Sequence, residues 1–172
     1  MTARIALIAS AALLTGSAAF AADGPTDPQI AHIAYTAGSI DVEAGKLALQ
    51  KSKNASVREF ASEMVRDHEA VNDKALALVK KLGVTPQSNA TSEGLTKQAD
   101  ETRAKLAKLN GKAFDRAYVA NEVAYHATVN GALKTALIPS ASNGELKSLL
   151  ETGLTLFSEH QKHAEHLSAS LK

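Results

Sequence analysis

The chain has 172 residues and a mass of 18.0 kDa, with 19 Lys+Arg set against 18 Asp+Glu, no Cys, no Trp and 4% aromatic residues. It is too short for a two-domain enzyme but long enough for one buried core. Without cysteine there is no disulfide or thiolate metal site, and the balanced charge gives no footprint for nucleic acid or an anionic membrane.

The first 22 residues read as a secretory signal peptide. Arg4 supplies a short positive start, Ile5 to Leu14 form an apolar run, and Ala19-Phe20-Ala21 is an A-x-A cleavage site just before Ala22. The apolar run is about 10 residues, half the roughly 20 needed to span a bilayer. The expected mature protein is periplasmic or secreted, with no transmembrane segment and a helical domain over residues 25–172.

Abundant alanine, few β-branched runs, and Gly and Pro placed between periodic segments predict an all-α fold. The first helix is expected over Pro28 to Lys51, with Ile30, Ile33, Ala37, Ile40, Ala44 and Leu47 spaced three and four apart. After the turn Ser52-Lys53-Asn54 a second helix runs to Leu82, stopped by Gly83 with Pro86 beyond. A shorter helix is expected from Glu93 to Leu109, a fourth from Lys112 to Leu137, a loop over Pro139–Gly144, and a last helix from Glu145 to about Leu171. The short turns make two antiparallel hairpins. The connection from Gly83 to Gly111 carries its own helix and can return along the bundle. The predicted fold is therefore a ferritin-like four-helix bundle with a long crossover carrying a short fifth helix.

Histidines interrupt the apolar seams. The second helix reads Val57, Ala61, Met64, His68, Val71, Ala75, Leu78, Leu82 in strict heptad spacing. The fourth places His126 between Val123 and Asn130, and the last places His160 between Leu156 and Ala164. On the first helix Glu43 flanks the stripe. In the crossover topology all four residues fall at one depth, roughly 20 Å from the same end. Glu43, His68, His126 and His160 are thus candidate ligands for a divalent transition metal, Zn, Fe, Mn or Cu. A buried polar layer in which the imidazoles share hydrogen bonds with Glu43, Glu122, Asn130 or Tyr118 is the competing reading.

The spacing argues against a di-iron oxidase centre, which needs Glu-x-x-His pairs on two helices. Glu122 and His126 are four apart, Glu63 and His68 five, and Glu159 and His160 adjacent. His68-Glu69-Ala70-Val71-Asn72 misses the H-E-x-x-H zinc-protease motif at its last position. His160, His163 and His166 recur every three residues, which is either a surface Cu or Zn site or the polar end of a helix.

The segments DVEAGKLA (41–48), VREFASEMVRDH (57–68), FDRAYV (114–119) and EH (159–160) resemble the exported family called domain of unknown function 4142, ferritin-like and mostly bacterial envelope proteins. By that resemblance Glu43, Asp67, His68, Asp115, Tyr118, His126 and His160 match recurring polar positions. The chain departs from the family pattern at Tyr125, where an acidic residue is usual, and at Asn130, where an apolar one is usual. The resemblance implies no activity. Three functions stay open: an exported metal-binding bundle for sequestration or envelope stress protection, a non-catalytic envelope interaction protein, and a metal-dependent oxidoreductase. The last has the least support, because paired carboxylates are missing.

Overall fold

A computed structural model describes residues 24–171. The expected signal peptide lies outside the described residues. Helices α1 (Asp27–Lys51), α2 (Ala55–Leu82), α3 (Ala90–Ala107), α4 (Gly111–Ala132), α5 (Ile138–Ser140) and α6 (Gly144–Ser170) follow one another, with a π-helical turn at Leu133–Leu137 between α4 and α5. Among the described residues there are no strands.

Local chemistry sets the boundaries. Thr26 and Gln29 form a capping box ahead of α1. The Asn54 side chain accepts from the backbone N–H of Ser56 and Val57 to open α2. Gly83 closes α2 in the left-handed region at φ 64°, and Val84 N–H reaches back to Val79 O at 2.9 Å. Asn89 caps α3 through Thr91 and Ser92 N–H, so α3 begins at Ala90, one turn before the expected Glu93. The expected loop after Leu137 is also shorter. Ile138 N–H bonds Leu133 O, five residues back, and this widened turn carries the chain helically through Pro139 to Ser140.

The crossover is explicit. Gln87 N–H donates to Pro28 O, so α3 starts beside the start of α1. Lys51 Nζ, at the end of α1, donates to Ala107 O at 2.8 Å and Asn110 Oδ1 at 3.2 Å. α3 therefore travels the length of α1, and α2 and α4 both start at the same end. Asp27 fastens the opposite end by accepting from Ser142 and Asn143 N–H at 2.8 and 2.9 Å.

The interior has two apolar halves. One packs Val57, Phe60, Met64, Phe114, Tyr118 and Val119 near the start of α2 and α4. The other packs Ile30, Ile33, Leu133, Leu146, Leu150 and Phe157 near the start of α1 and α6. Between them lies a layer of ionisable side chains.

α1 is turned from its expected stripe. Ile40 and Ala44 are only partly buried, whereas Ala37, Asp41, Gly45 and Ala48 face inward. Small residues bring α2 close: a Cβ on Gly45 would lie 2.8 Å from Val65 Cγ2 and 3.0 Å from Ala61 O.

Candidate metal centre

Asp41 on α1, His68 on α2, Glu122 and His126 on α4, and His160 on α6 are each 3% exposed or less. Every long helix contributes. The three imidazoles form a near-equilateral triangle, with centroid separations of 5.7 Å (His68–His126), 5.4 Å (His68–His160) and 5.6 Å (His126–His160). Each ring places a nitrogen within 4.8 Å of those of the other two. Asp41, Glu122 and His126 also bring donor atoms within 4.8 Å of one another, so His126 joins both groups.

Glu43 does not belong to this cluster. Its side chain is 55% exposed and approaches Lys46 at 3.9 Å. The rotation of α1 that brings small residues against α2 directs Asp41 inward and Glu43 outward, and Asp41 takes the place expected for Glu43. The signal that could have found it is the inward run Ala37, Asp41, Gly45, Ala48, three or four residues apart. The structure brings the other expected residues, His68, His126 and His160, together.

Hydrogen bonding fixes two tautomers. His160 Nε2 lies 3.1 Å from Asp67 Oδ2. Arg66, hydrogen-bonded to Asp67, holds that carboxyl below its ordinary range. The carboxylate accepts, Nε2 carries the proton, and His160 Nδ1 is left as a lone pair, buried and without a partner. His126 Nδ1 lies 3.0 Å from Glu122 O, which can only accept, so His126 Nε2 is likewise a lone pair. That nitrogen sits 3.4 Å from Asp41 Oδ2. His68 Nε2 sits 3.1 Å from the same oxygen, yet the direction fails that of a hydrogen bond and both atoms remain unpartnered.

Burial dominates the electrostatics. It pushes His68 down to about 3, with the neighbouring His160 adding to the effect. It lowers His126, against the attraction of Asp41. It raises Asp41, and it raises Glu122 well above the ordinary carboxyl range, reinforced by the Asp41 charge beside it. Tyr118 and Tyr125 are pushed far up by burial and by these two carboxyls. Burial thus favours the neutral forms of His68, His126 and Glu122 in this layer.

The surroundings orient the donors. Phe157 stacks on His68 at 4.5 Å and 11°. Tyr125 donates to Ala37 O at 2.9 Å, linking α4 to α1 beside Asp41. Asn130 donates to Phe157 O and Gln161 Oε1 at 3.2 and 3.0 Å. Both residues that depart from the family pattern thus tie helices together. Asn72, at the failed position of the zinc-protease motif, donates to Ser39 Oγ at 3.2 Å. The three histidines of the His160/His163/His166 repeat do not come together among the described residues: His160 joins His68 and His126, and also Glu63 and Asp67, while His163 bonds Glu63 at 2.7 Å and packs edge-on to Phe60.

The family profile described as a domain of unknown function, DUF4142, matches residues 12–167. A solved structure of similar shape is that of a protein from Streptomyces coelicolor whose name places it among secreted DUF305 proteins. The TM-score is 0.70 and the identity 14%, over 83% of this chain and 91% of that one, a likeness of fold. No curated protein matches the sequence.

Proposed function

We propose that this chain, which belongs to the DUF4142 family, holds a transition-metal ion at the centre of its bundle through Asp41, His68, His126 and His160. One observation carries the reading. His126 Nε2, His160 Nδ1 and both carboxyl oxygens of Asp41 lie in one buried layer, and none of these atoms has a hydrogen-bond partner. Electron pairs left without partners away from water are stabilised by a bound cation. The separations suit an ion: bonds of about 2.0–2.1 Å to tetrahedral nitrogen and oxygen ligands put neighbouring donors about 3.3 Å apart, and Asp41 Oδ2 stands 3.1 and 3.4 Å from two imidazole nitrogens. The Asp67–His160 pair and the Glu122 carbonyl on His126 are the outer contacts that orient metal-binding imidazoles.

Three imidazoles and one carboxylate suit Zn, Fe, Mn or Cu. An ion held by all four residues would have a closed tetrahedral shell with no position for substrate, which favours holding the ion over turning over a reaction. Asp41 and Glu122 are the inward carboxyls of the layer, and neither belongs to a Glu-x-x-His pair, so di-iron oxidase chemistry has no scaffold here. Residues 1–22 direct export, and no helix among the described residues is long and apolar enough to cross a membrane. The role is sequestration of an ion in the cell envelope or outside it.

A second reading has its own support. Glu122 remains protonated beside Asp41 and can share that proton with it, which satisfies part of the layer without metal. Elemental analysis of protein purified without a polyhistidine tag, then equilibrated with Zn²⁺, Cu²⁺, Mn²⁺ or Fe²⁺, separates the two. Stoichiometric metal that is lost in His126→Ala supports the metal site. Protein that takes up none of these ions, or takes them up equally well in the variant, supports the proton-sharing layer.

A further inference from the structure

We propose that the apolar half of the bundle beyond the histidine layer binds one small, neutral, hydrocarbon-rich molecule about the size of a bicyclic aromatic. A cavity of about 290 Å³ lies among α1, α2, α4, α6 and the π-helical turn, bordered also by Thr91 and Leu95 of α3. That is roughly twice the ~150 Å³ of an engineered apolar cavity that takes up benzene. The space comes from small side chains: Ala34, Ala37, Ala75, Ala136 and Gly153 line it. In the opposite half Phe60, Met64, Phe114 and Tyr118 fill the equivalent interior.

The lining sets the ligand's chemistry. No charged side chain borders the cavity. Its few polar groups include Asn72, whose amide is engaged with Ser39 Oγ, and Thr128, whose hydroxyl donates to Ala124 O. A charged head group would be buried with nothing to compensate it, so the ligand is neutral. Ile33, Leu150 and Phe157 supply the apolar walls, as in most small-molecule sites. Phe157 is shared: it borders the cavity and stacks on His68. A bound molecule is therefore sensed at the His68 ring, whether or not the layer holds metal.

The test is a calorimetric titration of the full mature chain with naphthalene, and with 2-naphthoate as its charged counterpart. Ala75→Leu and Ala136→Leu, on different segments, fill the space. Saturable one-to-one binding of naphthalene is expected, with a shift of the His68 imidazole resonances. 2-Naphthoate should bind roughly tenfold more weakly or worse. Each filling variant should keep its helical circular dichroism, melt no lower than wild type and lose naphthalene binding; if one fails to fold, the other decides. Absence of saturable naphthalene binding overturns the proposal. So does equal binding of the two ligands, or undiminished binding by a folded filling variant. A His126→Ala protein that loses metal yet still binds naphthalene keeps this site distinct from the metal centre.

Discussion

His68 and Glu122 sit in the same layer and bend the stability of the metal-free protein in opposite directions with pH. Burial holds His68 neutral in the fold down to about 3, whereas the unfolded imidazole takes up its proton near 6.5. Between those values the unfolded chain binds a proton that the native chain excludes. Stability therefore falls as the pH is lowered through that window, by on the order of 1.4 kcal/mol per pH unit at full slope. Glu122 works the other way. Its folded pKa lies well above the unfolded 4.5, so its contribution is complete below 4.5 and declines as the pH rises. Denaturant midpoints across pH are expected to show a flatter acid limb in His68→Leu, and a gain for Glu122→Gln above pH 4.5. Metal titrations check the ligands. Asp41→Asn should bind metal far more weakly than wild type, and Asp67→Asn, acting through His160, about 10–100-fold more weakly. Glu43→Gln should leave affinity unchanged, because Glu43 faces solvent. The three histidines were legible in the sequence because each interrupts a heptad of apolar residues. Asp41 was not, because the bulky Ile40 and Leu47 suggest a stripe offset from the real one. Gly45 and Ala48 carry little hydrophobic signal, yet they make the close contact that sets the rotation.

Among the helices, the close approach of α1 and α2 can be tested with glycine substitutions. Alanine is favoured over glycine in a helix by about 0.5–1 kcal/mol. At Gly94 and Gly131 an added Cβ meets nothing within 4 Å, so Gly94→Ala and Gly131→Ala should raise the melting temperature. At Gly45 the new Cβ would stand 3.0 Å from Ala61 O, a backbone atom that moves only with its helix. Gly45→Ala should therefore lose about 1–3 kcal/mol to overpacking and lower the melting temperature despite its better helix propensity. The long helices were legible because apolar residues recur with the helical period and polar or Gly stops fall between them. Two boundaries were not. Asn89 opens α3 through a capping geometry that composition does not mark, and the π-helical turn at Leu133–Leu137 leaves no periodic trace while carrying Pro139 inside a helix. The apolar cavity was hidden for a related reason: its alanines fit the helical pattern as well as larger residues would, and only packing shows that they leave space.

In the whole molecule, the layer joins four helices that the chain connects only by turns and by α3. An ion held by Asp41, His68, His126 and His160 cross-links α1, α2, α4 and α6 at mid-height. Such an ion binds the folded chain and not the separated helices, so it adds stability by mass action: about 2.7 kcal/mol when free metal is a hundredfold above its dissociation constant. For a chain of this size that is a rise of about 5–10 °C in melting temperature. α3 supplies none of the ligands and buries little, with Ser92 and Leu106 its buried residues. Local opening of α3 therefore leaves the centre intact, and metal has no hold on that opening. Hydrogen exchange with and without the ion should show protection rising in α1, α2, α4 and α6 around the ligands while the rates along α3 stay as they were. His126→Ala should show neither the thermal rise nor the added protection. If the layer only shares protons among its own groups, wild type and variant should respond alike to added metal, and uniform protection that includes α3 would place the ion elsewhere on the molecule.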